Sequence, residues 1–249
     1  MRMVLGGRPP VSNFFETMLW LPFVGVGLAL VFERIAWAHS PRVGHVAAKP
    51  GDHGGEAGEA APLPRGAIGL SAAIIASVML LLAEHVPLDS SISPVVAVLR
   101  SPLWLTIHVL TVVASYGALA LAAVLAHGYG IVYLARHGAT STLASLEVAV
   151  YRTTQVGVVL LTGGIMLGAV WANASWGRYW GWDPKETWAL ITLLWFLAIL
   201  HGRSAGWLRG VGVAASTMGG LWLLVMTYYG VSFYLVGLHS YAGGAAKPL

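Results

Sequence analysis

Apolar residues fall in this chain into about six blocks, at 14–37, 66–84, 104–127, 153–171, 186–201 and 211–236. Each is close to the roughly 20 residues that a helix needs to cross the hydrocarbon core of a bilayer. Such blocks leave the backbone little choice, because in lipid every N–H and C=O must find a partner within the protein, and a helix supplies one inside a single segment. The expected fold is therefore all-α, a polytopic integral membrane bundle of about six transmembrane helices. Composition agrees: 57% of the 249 residues are hydrophobic, 10% are charged, and mean hydropathy is +0.73. Soluble domains average roughly 45–50% apolar and about 25% charged residues.

The leading segment MRMVLGGRPPVSNFF runs into a long apolar block that no small-residue cleavage site closes, so the first block is expected to remain as a helix rather than leave as a signal peptide. The segment HSPRVGHVAAKPGDHGGEAGEAAPLPRG after it is rich in Gly, Pro and charge and reads as a solvated linker. The expected division is residues 1–65, a first transmembrane helix and polar linker, and residues 66–249, a functional membrane domain with a tryptophan-rich external loop at 171–186.

Charge and cysteine content exclude several functions. The net charge of +4 is scattered rather than clustered, which gives no nucleic-acid footprint. The chain has no cysteine, hence no disulfide, no thiol redox chemistry and no Cys-x-x-Cys-His haem attachment motif of its own. The Lys/Arg bias of the loops sets an orientation. Arg34, Arg42, Lys49, Arg65, Arg136, Arg152, Arg203 and Arg209 fall on one side, and Arg2, Arg8, Arg100, Arg178, Lys185 and Lys247 on the other, eight against six. The first side is assigned to the cytoplasm, so both termini and the tryptophan-rich loop face outward.

That loop lies in WANASWGRYWGWDPKETWALITLLWFLAILH, where Trp171, Trp176, Trp180, Trp182 and Trp188 gather with Tyr179 ahead of a helix start. Asp183 can cap that helix, Pro184 suits its first turn, and Glu186 stands three residues after the cap. On the proposed topology His108, in SPLWLTIHVLTVVASYGALALA, and His239, in YGVSFYLVGLHSYAGG, reach the same membrane level as the loop. Imidazole is a good ligand for iron, and two histidines facing across a flat aromatic shelf suit a planar macrocycle. The expected ligand is haem, with Trp176, Trp180 and Trp182 as the shelf and Arg178 and Lys185 as candidates for its propionates.

Simpler readings apply to the same residues. Tryptophans gather at membrane interfaces because indole is amphipathic, and Asp183 has a purely structural use as a helix cap. His85, at the outer end of the second block, competes with His108 and His239 as a ligand. His39, His45, His53, His127 and His137 read as surface residues. His201 lies about 27 Å along the fifth helix from the loop, near the opposite interface, and cannot share an iron with His108 and His239.

The run WGRYWGWDPKETWALITLLWFLAILH resembles the tryptophan-rich WWD signature of the haem handling proteins, in particular the CcsA (ResC) branch of system II cytochrome c biogenesis. LWLTIHVLTVVASYGALALA and GLHSYAGG resemble the segments that hold that family's two external histidines, and together the motifs cover roughly residues 93–243. The resemblance implies haem b as a bound substrate, with His108 and His239 as axial ligands. It implies the loop from Trp176 to Asp183 as the haem shelf, and His201 as the intramembrane histidine. It also implies a CcsB (ResB)-type membrane partner and an apocytochrome c that receives haem by thioether attachment, which would make the chain part of a cytochrome c synthase (haem lyase) complex in a bacterial plasma membrane. Two rival functions remain beside it: a haem exporter or chaperone of the CcmC kind that delivers to a separate ligase, and a non-catalytic assembly subunit.

Overall fold

The structure, a computed structural model, describes residues 14–38, 63, 66–85, 102–136 and 141–239. Among these residues the regular elements are all helical: α1 Phe14–Ala38, α2 Ala67–His85, α3 Pro102–Arg136, α4 Ser141–Trp176, α5 Pro184–Ser204 and α6 Val211–Val225. Helix α6 passes through a π-helical turn, Met226–Gly230, into the short α7, Val231–Tyr234. Six stretches are long and apolar enough to cross a membrane, and all six match the blocks read from the sequence.

The helices differ from those blocks mainly in length. Helices α3 and α4, of 35 and 36 residues, extend through most of 128–152, which by hydropathy alone reads as a connection. At 1.5 Å per residue each exceeds 50 Å, well past a core of about 30 Å. Helical hydrogen bonding need not stop where the lipid does, and the two helices support each other along their length. The linker, residues 86–101 and both chain ends lie outside the described residues, and with them half of the charges used for orientation, as well as His39, His45, His53 and His137.

Helix α3 is the centre of the bundle: Ala118, Leu119, Leu121, Ala122, Ala123 and Ala126 are fully enclosed. Its contact with α4 is made by glycines. A methyl group on Gly157 would stand 2.5 Å from the Leu119 side chain, one on Gly164 2.5 Å from Val112, and one on Gly168 2.6 Å from the His108 ring. Rising numbers on α4 meet falling numbers on α3, so the two are antiparallel. Lipid removes most of the hydrophobic drive between helices, and close approach over small residues replaces it. Helix α1 joins the same core through Leu21 and Ala29 and passes α3 where Gly25 and Gly117 meet. The buried Phe196 of α5 fills the space left by Gly220 of α6.

One end of the bundle is closed by Glu147 of α4. It pairs with Arg203 of α5 at 3.1 Å and accepts the Gly210 N–H at 3.0 Å, and the Arg203 guanidinium lies 4.2 Å from the centre of the Tyr151 ring. The start of α3, the end of α4, the start of α5 and the end of α7 therefore meet at the other end.

Candidate functional site

At that other end α4 stops after Trp176. Gly177 takes φ +72 and its N–H bonds to the Asn173 carbonyl at 2.9 Å, the left-handed exit that glycine allows at a helix C-terminus. The loop is thus shorter than 171–186: Trp171 and Trp176 belong to α4, and Pro184 begins α5. Asp183 caps α5 as the sequence predicts, accepting the Lys185 N–H at 3.1 Å, while Glu186 accepts the Asp183 and Gly181 N–H groups at 3.1 and 2.8 Å.

The cap also reaches across the chain. Asp183 accepts the Leu238 N–H on Oδ1, and on Oδ2 the Nδ1–H of His239 at 2.8 Å. A side chain at Gly237 would strike the same carboxylate. One acid therefore starts α5 and holds His239 in place. Burial pushes its carboxyl up, but the hydrogen bonds from His239, Leu238 and Lys185 more than offset this and hold it below the ordinary carboxylate range.

His108 is fixed from α4. Its Nδ1–H donates to the Gly164 carbonyl at 2.8 Å, and Gly168 leaves the space that the ring fills. A carbonyl only accepts, so the proton sits on Nδ1 and the lone pair of the neutral ring is on Nε2. The bond between His239 and Asp183 selects the same tautomer in a neutral His239. Fixing a histidine through its second nitrogen is how metal-binding imidazoles are oriented.

Trp171 touches both histidines. Its ring is stacked on His108 at 6.2 Å and 7°, and tilted against His239 at 6.0 Å and 53°. Trp176 meets Trp171 at 4.8 Å and His239 at 5.2 Å, edge to face in both cases. Trp171 is 2% exposed. His108, His239 and Trp171 line one cavity with Tyr116, Tyr179, Trp180, Lys185 and Tyr228, against otherwise mainly apolar walls from α1, α3 and α4.

The residues singled out from sequence divide by position. His108, His239 and Trp180 face the cavity, and Trp176 packs behind it on His239. Trp182 is 70% exposed, in a left-handed conformation (φ +56), and reaches the site only through an edge contact with Trp180 at 5.7 Å. Arg178 is exposed and folded over Gly181, away from the cavity lining. His201 is exposed on the last turn of α5, with Nδ1 donating to the Leu197 carbonyl at 2.8 Å. His85 does the same with the Leu81 carbonyl at the end of α2 and is outside the cavity lining. Sequence reasoning missed Trp171 as the centre of the cluster, and with it Gly164 and Gly168. The Gly-x-x-x-Gly spacing of that pair was the available signal.

Beside the cavity the π-helical turn brings Thr227 against α5, where its hydroxyl lies 2.7 Å from that of Thr192 and its one O–H has the Leu223 carbonyl at 2.8 Å and the Trp188 carbonyl at 3.0 Å as acceptors. The same turn presents the Tyr228 carbonyl to Lys185 Nζ at 3.0 Å. Turns of this kind recur at functional sites.

The donor set limits what can bind. Among the described residues no three His, Cys, Asp or Glu side chains come together as a metal site, whereas a bare zinc ion takes four ligands or three and a water. Two imidazoles suit a metal that brings its other donors with it, as a haem iron does.

A membrane-spanning helical bundle with an imidazole pair and an indole cluster at one end defines the class. The family profile described as "Cytochrome C assembly protein" matches residues 62–239, and the chain belongs to that family. Protein NrfI of Wolinella succinogenes is 34% identical over 261 residues, covering 100% of this chain and 25% of NrfI. Cytochrome c biogenesis protein CcsA of Synechococcus sp. (strain CC9902) is 34% identical over 265 residues, covering 94% of this chain and 78% of the relative. The CcsA protein of Prochlorococcus marinus subsp. pastoris is 32% identical over 269 residues, with 96% and 77% covered. The chain thus spans a quarter of NrfI and about three quarters of the CcsA proteins.

Proposed function

We propose that this protein binds haem b as a substrate between His108 and His239 at the outer face of a bacterial plasma membrane, and presents it for attachment to apocytochrome c. The observation that carries the reading is the pair of imidazoles set about one buried indole, each held through Nδ1 by a fixed acceptor. The family match supports the pathway. The tryptophan cluster, with Trp171 against both imidazoles, Trp180 on the cavity wall, Trp176 behind His239 and Trp182 at the rim, gives the macrocycle an aromatic surface. His201, at the cytoplasmic end of α5, is the point at which haem enters on its way outward. A CcsB/ResB-type membrane protein completes the complex.

The chemistry follows from what the chain lacks and what it holds. With no cysteine, every thiol comes from the apocytochrome. Each thioether forms when one thiol adds across one vinyl group of the haem, sulfur to one carbon and hydrogen to the other, so no oxidant is consumed. The protein supplies orientation, which lowers the barrier of a two-component step without any acid or base. Axial imidazoles set the state of the iron, and the histidine of the incoming Cys-x-x-Cys-His segment replaces one of them.

Co-expression of the full chain with a CcsB/ResB-type partner and a reporter cytochrome, in cells stripped of their own biogenesis system, tests this. Covalent holocytochrome is expected, and its loss in His108→Ala or His239→Ala, partly restored by added imidazole. Normal maturation in the double alanine variant contradicts the proposal. Haem bound to the chain with no covalent product indicates an exporter that supplies a separate ligase.

A further inference from the structure

Two donors in the cavity are left unused by the imidazole pair. Lys185 lines the cavity, with Nζ donating to the Tyr228 carbonyl at 3.0 Å and to Ser232 Oγ at 2.9 Å. An ammonium has three N–H groups, so one remains. Among the described residues no carboxylate pairs with it. Asp183 commits its oxygens to the Leu238 N–H, to His239 and to the main-chain N–H of Lys185, and Glu186 serves the Gly181 and Asp183 N–H groups. Asp183 lends negative charge nearby without a direct pair and the Tyr228 ring lies 5.9 Å from Nζ. Among the described residues, however, the third N–H has no oxygen acceptor, and an ionisable group at a membrane level marks a functional position. The second donor is the indole N–H of Trp171. It is buried on the same cavity wall and has no acceptor, a condition that native structures rarely leave unexplained.

One ligand feature satisfies both: a carboxylate, which brings negative charge to the ammonium and a lone pair to the indole. We propose that Lys185 and Trp171 form a carboxylate subsite inside the cavity, and that it takes a propionate of the tetrapyrrole held by His108 and His239. The inference rests on the haem reading above. Of the two propionate candidates read from the sequence it selects the interior Lys185 over the exposed Arg178, adds Trp171, and gives the π-helical turn a purpose, since the Tyr228 carbonyl and Ser232 hold Nζ in place. The macrocycle is then gripped by its carboxylate edge, and its vinyl edge stays available to incoming thiols.

The test is a Soret titration of the purified full chain with haem and with haem dimethyl ester, whose carboxylates are neutral and cannot pair with an ammonium. The wild type is expected to bind haem about ten- to a hundredfold more tightly than the ester, the range for a charge-assisted bond. Lys185→Met should abolish that preference, Trp171→Phe should reduce it about three- to tenfold while keeping the aromatic stack, and Arg178→Met should leave it unchanged. Equal binding of haem and ester by the wild type, with a bis-imidazole spectrum for both, overturns the subsite and leaves the haem reading standing. A preference lost in Arg178→Met also overturns it, in favour of the exposed arginine. A spectrum that is the same in His108→Ala and His239→Ala overturns both the subsite and the haem reading. If Lys185→Met does not fold, the wild-type ratio and Trp171→Phe decide.

Discussion

Gly168→Ala places one methyl group where the structure has least room for it. The added carbon stands 2.6 Å from Cε1 and 2.9 Å from Nδ1 of His108, whereas carbon contacts settle near 3.5–4.0 Å. The imidazole must retreat by about 1 Å. That stretches its 2.8 Å bond to the Gly164 carbonyl past the distance at which a hydrogen bond is counted. The loss is about 1 kcal/mol for the bond and about 1–3 kcal/mol for overpacking, against about 1 kcal/mol gained by replacing glycine in a helix. A net destabilisation of about 1–3 kcal/mol follows. Haem affinity should fall about 10–100-fold, the usual effect of losing the partner that orients a metal-binding histidine. Gly163→Ala is the matched control, because a methyl group there meets nothing within 4 Å, so it should be neutral or slightly stabilising. Thermal unfolding in detergent and haem titration of both variants make the comparison. Equal haem affinities in the two would refute the claim that α4 positions His108.

Four further outcomes are expected. Asp183→Asn keeps a cap for α5 but loses the charged partner of His239, so haem should be held more weakly while the helices persist, as shown by circular dichroism beside a pull-down of bound haem. Because the Asp183 carboxyl is held below its ordinary value, its contribution is complete above about pH 4, the unfolded value, and is lost as pH falls through the lower folded value. An acid titration should therefore separate wild type from Asp183→Ala at neutral pH and bring them together in strong acid. Replacing Trp176, Trp180 and Trp182 together by leucine should lower haem occupancy with membrane insertion intact, and unchanged occupancy would reduce the indoles to an interfacial belt. His201→Ala should not alter stability, since the side chain is exposed, but should lower outer-site haem when haem comes only from the cytoplasm and not when it is supplied outside.

Much of the fold is legible because length and hydropathy suffice: a block of about 20 apolar residues has one backbone solution in lipid. The start of α5 is legible for a local reason, since Asp183, Pro184 and Glu186 carry the cap, the first turn and the return bond within four residues. The reach of α3 and α4 beyond the membrane is not, because helix propensity outside lipid leaves no hydropathy signal. Membrane level sets His108 and His239 beside the loop but leaves His85 as a competitor, and it is the cavity that takes in the first two and leaves His85 out. Trp171 could not be singled out, because a tryptophan within an apolar block looks like any interfacial or core residue until α3 and α7 bring the two histidines to it. Lys185 is a propionate candidate from sequence on the same footing as Arg178, and only the fold separates the two: Lys185 lines the cavity with Nζ held by the π-helical turn and Ser232, whereas Arg178 is exposed away from it.

The central claim is that His108 and His239 together hold one iron. Low-temperature magnetic circular dichroism of the purified full chain with ferric haem tests it directly. Wild type should give a low-spin bis-imidazole signature, and His108→Ala and His239→Ala should each lose it and recover it on adding imidazole. The same low-spin signature in the double alanine variant without imidazole would contradict the account.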